Sequence, residues 1–110
     1  MGAGVANVND PETFRPHIGT DFTVSGGERP VILRLADVND AGISNGMRQF
    51  SLLFHGPGDR QLPDGIHAMT HDALGPLEIF IVPVVGSNAA RIVYQACFSA
   101  AAGAVQKNGN

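Results

Sequence analysis

Apolar and polar residues alternate along most of this chain with the period of an extended backbone. Val31, Leu33 and Leu35 point one way and Arg34 the other, and Phe50, Leu52 and Phe54 oppose Gln49, Ser51 and His55. The same spacing predicts strands over residues 22–25, 31–38, 49–55, 66–71, 77–83 and 91–99. The six inward apolar residues of the second and third strands form the expected core nucleus. Between the strands lie Gly26-Gly27, Asn45-Gly46, Gly56-Pro57-Gly58, Pro63-Asp64-Gly65, Gly75-Pro76 and Gly86-Ser87-Asn88, all turn chemistry. None of these connections has room for a crossover helix, so the strands must pair mainly antiparallel, as a meander. Ahead of them, Asp10-Pro11-Glu12-Thr13 has the form of a helix start, with Asp as cap and Pro at the first helical position. The helix should run to about His17 and stop at Gly19. The expected fold is mostly β: a small antiparallel six-stranded barrel or sandwich with a short N-terminal helix. Its organisation is an arm over 1–12, one β domain over 13–99, and a small, polar tail over 100–110 expected to be disordered.

Two late strands break the tidy alternation. Leu77, Ile79 and Ile81 share a strand with Phe80 and Val82, and Tyr94, Ala96 and Phe98 share one with Val93 and Cys97. With both faces apolar, the second face is covered either by the helix and termini or by another subunit. A homo-oligomer or a larger partner protein is the favoured explanation, with Phe80, Val82 and Val93 as the candidate interface.

Composition narrows the function. The chain has 110 residues, 14 Gly, 7 Pro and a formal charge of −3, with Lys107 its single lysine. No basic stripe is available to neutralise a phosphate backbone, which argues against nucleic acid. The start lacks the basic and apolar regions of a secretory signal, and no 18-residue apolar run suggests membrane insertion. The expectation is a product made in the cytoplasm without a signal peptide, which a particle or an exported assembly could later carry. Cys97 is the one cysteine, and its apolar strand context reads as a small buried hydrophobe.

Candidate chemistry is sparse. His67 and His71 are four apart, but on a strand they are separated by about 13 Å, too far for one metal ion. His71, Asp72 and Glu78 could form a hydrogen-bonded group around the turn at Gly75, and strand parity places His67, Met69 and His71 on one face. If that face is the core, His71 is a buried, hydrogen-bonded structural histidine. Asp37-Val38-Asn39-Asp40-Ala41-Gly42 partly matches a calcium loop, yet Ala41 and Arg48 stand where oxygen ligands are required. A polar loop between strands explains it better. No nucleophile elbow, phosphate loop or dinucleotide fingerprint is present. The seven aromatic residues lie mostly in apolar strand context and look like core. No catalytic residue, cofactor or metal is therefore assigned.

Taken together, Phe14-x-x-x-x-Gly19-x-x-Phe22, Phe50-Ser-Leu-Leu-Phe54-His-Gly56-Pro57, Gly65-x-x-x-x-x-His71-x-x-Leu74-Gly75, Phe80-Ile-Val-Pro83 and Tyr94-x-x-x-Phe98 resemble an uncharacterised family of small bacterial β proteins. The resemblance covers about residues 13 to 99 and departs at His67, where the family tends to have Tyr. Members lie beside genes for phage-tail-like collar or fibre proteins, so it implies a structural or accessory role. Three expectations follow in order of preference: a non-enzymatic structural or assembly protein, in its finer form a phage-tail-like or virion-associated accessory component; a ligand- or carbohydrate-binding β module; and a histidine-metal barrel enzyme.

Overall fold

A computed structural model describes residues 10–25, 29–84 and 90–101, without the side chains of residues 100 and 101. Most of the predicted arm and tail thus falls outside the described residues. Helix α1 (Pro11–Phe14) is capped by Asp10, whose carboxylate accepts the Glu12 N–H at 2.9 Å. Pro16 has no N–H to extend the helical ladder, and the chain tightens into a 3-10 turn over Arg15–His17. The strands are β1 (Asp21–Val24), β2 (Val31–Ser44), β3 (Met47–Pro57), β4 (Gly65–His71), β5 (Gly75–Pro83) and β6 (Arg91–Ala101).

They close into an antiparallel barrel in the order β1-β2-β3-β6-β5-β4, with β4 returning to β1. The barrel alternative of the sequence reading is the one adopted, but not as a simple meander. β3 pairs with β6 along eleven residues, from Met47↔Ala101 to Pro57↔Arg91, so the β3–β4 connection must cross one end of the barrel. Arg29, Pro57 and Arg91 lie at that upper end; the helix and the β4–β5 turn mark the lower end. Alternation within a strand reports which face is buried, not which distant strand lies beside it.

The β2–β3 hairpin corrects the loop expected over residues 37–42. Both strands continue to a two-residue turn at Asn45-Gly46, with φ of 54° and 77°, the positive values that the primed hairpin turns require. The polar stretch forms two bulges, where the register steps between Leu35 and Asp37 and between Asp40 and Gly42. The carboxylates satisfy backbone donors there: Asp37 accepts from the Val38 N–H, and Asp40 from the Gly42 N–H, each at 2.9 Å. Arg48 binds the other Asp40 oxygen at 3.1 Å. These carboxylates serve the bulges, which accounts for the imperfect match to a calcium loop.

Inward positions of all six strands fill the interior. The six residues of the expected nucleus are buried, joined by Phe22, Val24, Met69, Leu77, Ile79, Ile81, Tyr94 and Ala96. Phe14 reaches in from the helix with no exposed surface, its ring centroid 5.9 Å from Phe98 and 6.4 Å from Phe50. Phe50 and Phe98 stack at 4.7 Å, and Phe22 meets Phe54 edge-on at 5.3 Å. The helix therefore plugs the lower end rather than covering an outer face. At the upper end Gly56 lies under Leu33 and Tyr94. A Cβ there would stand 2.7 Å from Leu33 Cδ2 and 3.0 Å from Tyr94 Cε1.

Two substitutions test this packing in urea unfolding. Gly56→Ala should cost about 1–3 kcal/mol by overpacking. Phe14→Ala should cost about 3–5 kcal/mol, because it leaves a cavity among the other phenylalanines. An unchanged midpoint in either variant would contradict the arrangement described.

Candidate functional site

His71 ends β4 at the lower end, 8% exposed. Its Nδ1 accepts the N–H groups of Ala73 at 2.9 Å and Leu74 at 3.2 Å, holding the β4–β5 turn. Nδ1 must then be unprotonated, so Nε2–H donates to Thr20 Oγ1 at 2.9 Å, and the Thr20 hydroxyl donates to the His17 carbonyl at 2.6 Å. One ring thus ties the turn to the chain between helix and β1. Glu78, expected in this group, instead stands opposite Ala68 on an outer face. Burial, and secondly the nearby His17, push the His71 pKa below its ordinary value, against a raising effect of Asp72.

The His17 and His71 rings meet at a 4.7 Å centroid separation, the convergence of histidines that a metal site would need. Both nitrogens of His71 are already engaged, however. Among the described residues no three His, Cys, Asp or Glu side chains are gathered to hold a metal ion. His67, at the other end of β4, bonds the Pro63 carbonyl through Nε2 at 2.8 Å and does not approach His71.

The predicted interface residues separate. Phe80 is 52% exposed on the outer wall of β5, and Val82 on the same face is half-buried. Val93 is only 9% exposed, a correction to its expected surface role. It stands opposite His55 on β3, and the chain leaving β5 runs against it, with the Val84 N–H on the Val93 carbonyl at 2.9 Å. The apolar surface runs the other way, across β4, where Ile66 pairs with Phe80 and is 71% exposed. Cys97 is also corrected: it is exposed, because Tyr94, Ala96 and Phe98 hold the inward positions of β6.

The sequence reading missed an arginine-lined groove of about 500 Å³ at the upper end of the outer wall. Arg29, Arg34, Arg60 and His55 line it with Asp21 and Asp59, over an apolar floor that includes Val31, Ile32 and Pro57. Tyr94 shapes it from inside: its buried hydroxyl accepts the Leu62 N–H at 2.9 Å and donates to the Arg60 carbonyl at 3.4 Å, fixing the connection that crosses the barrel. Arg60 then reaches the Arg29 carbonyl at 3.4 Å. Arg34 pairs with Asp21 at 3.5 Å across β1–β2, a partly solvated contact of modest strength. Burial, and then the Arg91 charge, lower the His55 pKa, so its imidazole is neutral at pH 7. In sequence these residues are scattered, and only the β2–β3–β6 register brings His55 beside Arg34 and Val93.

Fold and surface together define a small closed antiparallel β-barrel, plugged by a short helix, whose distinctive groups lie on its outer wall. The chain belongs to the family described as a domain of unknown function (DUF6916), whose model matches residues 10–98. No curated protein and no solved structure matches it. No helix among the described residues is long and apolar enough to cross a membrane.

His71 makes stability depend on pH with a definite sign. Its folded pKa lies below the value of about 6.5 expected unfolded, so the unfolded chain takes the proton first on acidification. Its contribution is complete above about pH 6.5 and is lost as pH falls from there to the lowered folded value. Urea midpoints should fall from pH 7 to pH 5, and less steeply in His71→Gln. At pH 7 that variant should itself lose about 1–3 kcal/mol, through unsatisfied backbone donors. Equal slopes would show that His71 does not titrate in this way.

Proposed function

We propose that this barrel is a non-enzymatic structural and assembly module that associates with a second copy of itself through the outer wall of the β4–β5 hairpin. The observation that carries this reading is the cross-strand pair Ile66 and Phe80, two large apolar side chains directly opposite each other and mostly in solvent. The outward positions of this hairpin are Ile66, Ala68, Thr70, Pro76, Glu78, Phe80 and Val82, with Glu78 the one charge among them. Two such walls can therefore approach without burying an array of like charges. A twofold axis would set Phe80 of each copy against Ile66 of the other, since an isologous contact needs a self-complementary patch. Resemblance to proteins encoded beside tail-like collar and fibre components supports a finer reading, an accessory part of a phage-tail-like or virion-associated particle. A larger particle protein could then occupy the same wall.

Native mass spectrometry over a concentration series tests the reading. The wild-type chain should give a discrete oligomer that grows in with concentration, and Phe80→Glu, an exposed substitution, should remain monomeric and keep the urea midpoint that the wild-type chain shows at concentrations where it too is monomeric. A wild-type chain that stays monomeric at high concentration would overturn self-association by this wall.

A further inference from the structure

The six described arginines are distributed unevenly for a chain of net charge −3. Arg15 and Arg48 sit at the lower end and converge on Asp40, at 4.0 and 3.1 Å, with Arg15 also on Glu12 at 3.0 Å. The other four surround one place. Arg29, Arg34 and Arg60 line the upper groove, and Arg91 lies close enough to His55 to act on its charge. Among the described residues the lining carries two carboxylates against three guanidinium groups, and Asp21 is already on Arg34. Arg60 is oriented by the connection that Tyr94 holds; its guanidinium reaches a backbone carbonyl and forms no ion pair among the described residues. Beside these charges Ile32 is 44% exposed and stands next to Pro30.

We propose that the upper groove is a binding site for a small organic anion, its carboxylate or phosphate held by Arg29 and Arg60 and its apolar body lying along Ile32 and Pro30. Arginine suits this task, because its planar fork donates two parallel hydrogen bonds to either anion. His55 completes the wall as a neutral imidazole, able to donate one more bond. Asp21 and Asp59 favour ligands whose charge is compact enough to sit on the arginine side. The site is separate from the Ile66–Phe80 wall, so it stands or falls independently of self-association.

Two probes, inorganic phosphate and sodium hexanoate, are titrated into the full chain and followed by amide and histidine-ring NMR. Saturable shifts are expected at Arg29, Ile32, His55 and Arg60. The His55 pKa should rise, since a bound anion offsets the field of Arg91. Tighter binding of hexanoate than of phosphate identifies the apolar wall as part of the site; equal binding assigns recognition to the charge alone and overturns the role of Ile32 and Pro30. Arg60→Gln and Arg29→Gln should each weaken binding by about tenfold, as expected for a lost charge-assisted bond. Arg15→Gln at the far end should leave it unchanged, and Phe80→Glu should too, which separates this test from that of self-association. Absence of saturable shifts with both probes, or shifts that survive both arginine substitutions, would overturn the proposal.

Discussion

The structure depends on closing a ring of six strands through two weak seams. β1 meets β4 in two register pairs, Thr23↔Thr70 and Val24↔Met69, and β5 meets β6 in two, Val82↔Gln95 and Pro83↔Tyr94. The remaining ladders are longer, up to the full length of β3 against β6. The β4–β5 hairpin is thus held to the four-stranded remainder more by its inward side chains than by backbone hydrogen bonds. Met69, Leu77, Ile79 and Ile81 are almost wholly buried against the other strands, and that burial supplies what the short seams do not.

The two ends of the barrel are closed by different chemistry. Below, an aromatic plug from the helix joins a histidine whose every nitrogen is committed to the backbone or to Thr20. Above, a tyrosine hydroxyl holds the crossing connection, and Gly56 is the residue that lets Leu33 and the Tyr94 ring lie together. Both ends fix what lies outside them. The lower closure sets the β4–β5 turn from which the apolar wall rises, and the upper closure sets the loop that presents Arg60.

Much of this was legible in the chain because burial on one face leaves a period of two. Leu33, Leu35, Leu52 and Phe54 showed it, and the same parity pointed His71 inward. Around Asp37 and Asp40 each bulge inserts a residue and resets parity, so polar side chains that serve the bulge look like a loop. At Cys97 and Val93 the opposite holds: apolar neighbours on both faces of the strand hide which residue is inside. The arginine groove was invisible to local pattern, since positions 29, 34 and 60 meet only when the connection between β3 and β4 crosses the upper end.

That crossing topology also bears on how the chain reaches its native state. The β2–β3 hairpin needs only the Asn45-Gly46 turn, and β4–β5 only the short turn that His71 caps, so both can form from neighbouring residues. Pairing of β3 with β6 brings Met47 to Ala101 and closes a far longer loop of chain. Loop-closure entropy of this kind, paid before the contacts that reward it, places all-β topologies among the slower-folding small domains, in the millisecond-to-second range. The last step of folding would then be ring closure, in which two preassembled hairpins are sealed around the phenylalanine plug.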